Sequence, residues 1–112
     1  GAIFEVYNTL GPGLLESVYE EALCYELVNR GMKVERQKSI PLVYKGQTLQ
    51  SDLRLDLLVE DAIIIELKAV EEIKPVFFKQ LKTYLKLTGK HLGILVNFNS
   101  NDLKTDIHRV IL

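Results

Sequence analysis

The chain has 112 residues, 47% hydrophobic and 26% charged, with a formal net charge of −1. That is the profile of an ordinary soluble globular protein, and a split would leave halves too small to bury a useful core, so a single domain over residues 1–112 is expected. Near-neutral charge excludes a global attraction to nucleic acid and leaves only a local basic patch, while no apolar run approaches the ~20 residues needed to span a bilayer. The single cysteine, Cys24, rules out an internal disulfide and favours a reducing, cytoplasmic compartment. With only His91 and His108 beside it, a structural zinc site is not expected. The N-terminal residues carry no signal-peptide pattern.

Residues 2–9 read as a short helix, broken by Leu10-Gly11-Pro12-Gly13. Leu14 to Arg30 form the strongest helical segment, with an apolar arc of Leu14, Leu15, Val18, Tyr19, Ala22 and Tyr25 and a stop at Gly31. Glu16 and Glu20 lie one turn apart beside that arc and by themselves read as a solvated acidic edge. Lys33 to Gln50 alternate as peripheral strands around a turn at Lys45-Gly46-Gln47, with Pro41 tolerable on an edge strand.

Two strongly apolar strands follow, within residues 52–68. Period-2 reading puts Arg54, Asp56 and Leu58 on one side of the first and Leu53, Leu55, Leu57 and Val59 on the other. In the second, Glu66 and Lys68 share a face opposite Ile63, Ile65 and Leu67. Carboxylates are costly to bury unpaired and repel one another when close, so this cluster needs a cation or hydrogen-bond donors. Asp56 and Glu66 could hold Mg²⁺ or Mn²⁺ through hard oxygen ligands, with the Leu67 carbonyl as another, and Lys68 could orient a water or stabilise charge on a phosphate oxygen. The two acids face the same way only if the strand register sums to an even number, which requires a three-residue turn such as Glu60-Asp61-Ala62 or a bulge. The plainer alternative is a core hairpin in which Asp56 and Glu66 pair with Arg54 and Lys68 at the surface, contributing about 0–1 kcal/mol.

A further helix runs from Pro75 to about Thr88, with Pro75 suited to its first turn and Gly89 to its stop. Its apolar arc holds Val76, Phe77, Phe78, Leu81, Tyr84 and Leu85, and Lys79, Lys82 and Lys86 gather opposite, either as a solvated face or as phosphate contacts. Gln80 falls within the arc, where an unpaired buried amide would cost roughly 1–3 kcal/mol. Residues 91–98 and 106–112 complete the chain as strands around a loop at Asn99-Ser100-Asn101-Asp102. The helix between the central strands and residues 91–98 implies a right-handed crossover if those strands are parallel. The element order gives an α/β domain with a mixed sheet.

The sequence resembles the PD-(D/E)XK nuclease superfamily and, within it, the GxxExxY proteins. The naming motif stands as Gly13-Leu14-Leu15-Glu16-Ser17-Val18-Tyr19, and Arg54-Leu55-Asp56, Glu66-Leu67-Lys68 and Asn97-Phe98 follow in order. The resemblance implies a restriction-endonuclease-like αβββαβ core, a mixed central sheet flanked by helices. It implies a Mg²⁺- or Mn²⁺-dependent nuclease acting on nucleic acid, with DNA the expected substrate. Asp56, Glu66, the Leu67 carbonyl and Glu16 would serve the metal, and Lys68 would position the attacking water. Gln80 and Tyr84 match a Q-x-x-x-Y motif placed beside the metal and the nucleic-acid backbone, near Lys79, Lys82 and Lys86. Many small nucleases of this superfamily act as dimers, and Ile3, Phe4, Val6 and Tyr7 could supply a homodimer interface. The alternative is a non-catalytic nucleic-acid-binding or protein-interaction module that keeps the nuclease fold.

Overall fold

The computed structural model describes residues 1–112 and contains three α-helices, five strands and a short 3-10 helix at Leu103–Thr105. Helices α1 (Ala2–Leu10) and α2 (Glu16–Asn29) precede strands β1 (Val34–Tyr44), β2 (Gln47–Val59) and β3 (Ile63–Lys68). Helix α3 (Pro75–Thr88) then leads to β4 (Leu92–Asn97) and β5 (Ile107–Ile111). The strands lie in the order β1-β2-β3-β4-β5, and only β3 and β4 run parallel. Parallel neighbours cannot be joined by a hairpin, and α3 supplies their connection. Pro41 sits on the edge strand, where its missing N–H interrupts no inner ladder.

Each face of the sheet carries its own core. Tyr19, Leu23 and Leu27 of α2 pack with Ala2 and Val6 of α1 against Leu57, Val59, Ile65, Leu67, Val96 and Phe98. On the other side Leu81 and Leu85 of α3 pack against Leu53, Leu55, Leu58, Ile64, Leu95 and Val110. Gly93 lets α3 lie this close, since a Cβ there would meet the Leu81 side chain at 2.9 Å. Pro75 in the first turn and Gly89 in the left-handed conformation at the end bound α3 as the sequence indicates.

The apolar faces of two helices differ from expectation. On α2, Leu14 and Leu15 precede the helix, Val18 and Tyr25 are exposed, and the buried positions are Tyr19, Glu20, Leu23 and Leu27. This helix is apolar on two sides, and the side bearing Val18, Ala22 and Tyr25 turns toward an open groove shared with α1. On α3, Val76 is exposed, and Gln80 is not a buried member of the arc but lies exposed at its rim. The apolar residues of α1 are engaged within the chain: Val6 is buried, Ile3 and Phe4 pack on the core, and the Tyr7 hydroxyl donates to the Ser100 carbonyl at 2.6 Å.

Strand β2 also departs from simple alternation. Leu53 and Leu55 face α3, but Leu57 and Val59 face α2 and Leu58 faces α3, so the strand changes sides at Asp56. Across from it, between the pairs Arg36 with Leu57 and Lys38 with Leu55, Gln37 has a left-handed φ of 53°. The left-handed residue of β1 thus lies directly across from the point where β2 changes sides.

Candidate active site

The β2–β3 turn decides whether the two acids can meet. Val59 pairs with Ile63, leaving the three-residue turn Glu60-Asp61-Ala62, in which Glu60 and Asp61 adopt left-handed φ values of 55° and 52°. The ladder ends after Leu57 opposite Ile65, and continuing its register sets Asp56 opposite Glu66. The sequence condition for a shared site is therefore met.

Where the ladder stops, side chains replace it. The Leu67 N–H donates to Asp56 Oδ2 at 3.0 Å, and the Asp56 N–H lies 3.4 Å from Glu66 Oε1. Within a strand the N–H and C=O of one residue point to the same side, so the Leu67 carbonyl also points toward Asp56. Glu66 is only 6% exposed. Burial, then the charge of Asp56, then a hydrogen bond with its carboxyl, push the Glu66 acid up to about 9. Neither acid forms an ion pair with Arg54 or Lys68, so the surface salt-bridge alternative does not hold.

Lys68 is half-buried, with Nζ 4.5 Å from the centre of the Phe77 ring. It shares a groove along α3 with Lys79, Gln80, Thr83 and Tyr84. Burial and the charges of Glu66 and Asp56 raise the Tyr84 phenol, while a hydrogen bond with Gln80 acts in the opposite sense. Lys82 and Lys86 are exposed on α3 and lie outside the groove lining.

Glu16 reaches the same region from the start of α2. Burial and the nearby Asp56 charge raise its acid, and Lys68 lowers it. No three acidic, His or Cys side chains converge closely enough to hold one ion. Its placement depends on Tyr19, whose hydroxyl accepts from the Leu14 N–H at 3.1 Å and donates to the Gly11 carbonyl at 2.6 Å. The Tyr19 ring stacks on Phe98 at 4.7 Å, which ties the turn before α2 to the end of β4. That accounts physically for a glycine turn, an acid and a tyrosine at this spacing.

Three residues take supporting roles that the sequence does not assign them, although Asn97 stands in the Asn97-Phe98 block. Glu20 is not on a solvated edge but 6% exposed, accepting from Arg36 Nε at 2.8 Å and Gln37 Nε2 at 2.5 Å. Its partners lie on β1, and nothing local in the sequence announces them. Gln37 also reaches Asp56 Oδ1 at 3.5 Å. Asn97, which is buried, accepts from the Val70 N–H at 3.1 Å and donates to the Val70 carbonyl at 2.8 Å, fixing the segment that follows Lys68.

The mixed sheet flanked by helices, with acids where two central strands part, has the layout of the restriction-endonuclease-like fold. The family model of the PD-(D/E)XK nuclease superfamily matches residues 1–110, and the chain belongs to that superfamily. No curated protein and no solved structure matches the chain. PD-(D/E)XK nucleases generally use divalent metals, typically Mg²⁺, and the superfamily implies an interaction with nucleic acid. No helix is long and apolar enough to cross a membrane.

The donor set suits such an ion. Asp56, Glu66 and the Leu67 carbonyl offer hard oxygens, and the two carboxyls face one another with no cationic side chain in ion-pair contact.

Proposed function

We propose that the chain is a divalent-metal-dependent nuclease that hydrolyses phosphodiester bonds, with DNA as its substrate, and that within the superfamily it is a GxxExxY protein. The observation that carries this reading is the buried Glu66 set against Asp56, with Lys68 two residues beyond on the same strand. Asp56, Glu66 and the Leu67 carbonyl would hold Mg²⁺ or Mn²⁺. Bound there, the ion would polarise a phosphate oxygen and acidify a water.

The chain's own groups supply the rest. Lys68, held over Phe77, positions the attacking water and offers its ammonium to charge developing on phosphate. Glu16, whose acid is raised by burial and by the Asp56 charge, contributes as a ligand or through a water. Gln80 and Tyr84 line the groove and orient the nucleic-acid backbone beside Lys68, and Lys79 adds a positive charge at the same wall. Lys82 and Lys86 serve longer substrates along the outer face of α3.

The test is cleavage of single- and double-stranded DNA and of RNA with Mg²⁺ or Mn²⁺, comparing the chain with Lys68→Ala. Metal-dependent cutting of DNA that is lost in the variant is expected. No cutting and no metal binding would leave a non-catalytic module with the nuclease fold.

A further inference from the structure

Gln37 occupies a conformation that the chain does not need for reversal. Its left-handed φ of 53° lies in mid-strand, whereas the β1–β2 and β2–β3 turns fall at residues 45–46 and 60–62. Such a conformation is uncommon for a residue with a side chain and concentrates at functional sites. Here it coincides with the point where β2 changes facing, directly across from Asp56.

The side chain has two partners. Its amide nitrogen donates to Glu20 Oε1 at 2.5 Å and lies 3.5 Å from Asp56 Oδ1. Glu20 is a firm anchor, because it is buried on α2 and also held by Arg36 Nε at 2.8 Å. Asp56 is therefore approached at both oxygens, Oδ2 by the Leu67 N–H and Oδ1 by the Gln37 amide. An NH₂ group cannot ligate a cation, so any effect of this contact on an ion must pass through the carboxylate.

We infer that Gln37 is a positioning residue that, anchored on Glu20, holds the Asp56 carboxylate in the orientation required to receive a divalent cation. The inference rests on the metal-dependent reading above. Partners of this kind commonly change metal affinity by 10- to 100-fold when removed.

Gln37→Gly separates this role from a purely structural one. Glycine accepts the left-handed backbone freely and removes the amide together with its two-carbon stem. Without metal, the variant should still melt cooperatively, at a temperature lowered by loss of the hydrogen bond to Glu20. Its dissociation constant for Mg²⁺ or Mn²⁺, measured by calorimetry, should rise by about tenfold. An unchanged constant overturns the inference. Should Gln37→Gly lose its melting transition, Gln37→Asn decides instead: asparagine tolerates the same backbone but is too short to span Glu20 and Asp56, and an unchanged constant there likewise overturns the inference. Absence of metal binding by the wild-type chain would instead overturn the metal-dependent reading itself.

Discussion

Two glutamates are buried to the same extent, Glu20 and Glu66 at 6% exposure each, yet their surroundings are opposite. Glu20 accepts from Arg36 and Gln37, so its charge is compensated within the fold. Glu66 faces Asp56 instead, and its nearest cation, Lys68, makes no ion pair with it. A buried charge with its partners in place belongs to the architecture. One set against a second carboxyl is complete only with a proton or a cation from outside.

The contrast predicts that variants on the two sides will fail differently. The largest effect belongs to Lys68→Ala, which should lower metal-dependent cleavage about 10²-fold or more. Its stability should fall by only about 1 kcal/mol or less, the contribution of its contact with Phe77, as read by urea denaturation. Arg36→Ala should do the reverse. Leaving Glu20 buried without its cation should cost roughly 2 kcal/mol, below the full penalty for breaking a buried pair because the Arg36 side chain is 39% exposed.

A smaller effect separates the acids by pH. Glu66 titrates near 9 in the folded chain, above its ordinary value of 4.5, so the folded state binds its proton more tightly than the unfolded state does. That contribution to metal-free stability is complete below about 4.5 and is lost as pH rises toward about 9. Melting temperatures of metal-free wild-type protein should therefore decline across that window more steeply than those of Glu66→Gln. Equal slopes would remove the distinction between the two glutamates.

Much of the fold was legible because local chemistry marks it. Pro75 and Gly89 bound α3, and Gly11-Pro12-Gly13 separates the first two helices. The pairing of Asp56 with Glu66 reduced to a parity condition that a three-residue turn satisfies. The change of facing at Asp56 was not legible, since Gln37 is not a residue type that announces a left-handed backbone. Nor was the burial of Glu20, whose partners stand 16 and 17 residues away. Helix α2 misled because its apolar residues occupy two sides, and only packing selects the one that meets the sheet.

The claim that the Asp56–Glu66 pair is built for a divalent cation is tested most directly by following the melting temperature while Mg²⁺ or Mn²⁺ is titrated into wild-type and Asp56→Ala protein at pH 8. Wild type should gain stability as RT ln(1 + [L]/Kd), about 2.7 kcal/mol at a hundredfold excess over Kd, and Asp56→Ala should gain none. A flat wild-type titration, or an equal gain in both proteins, would contradict the account.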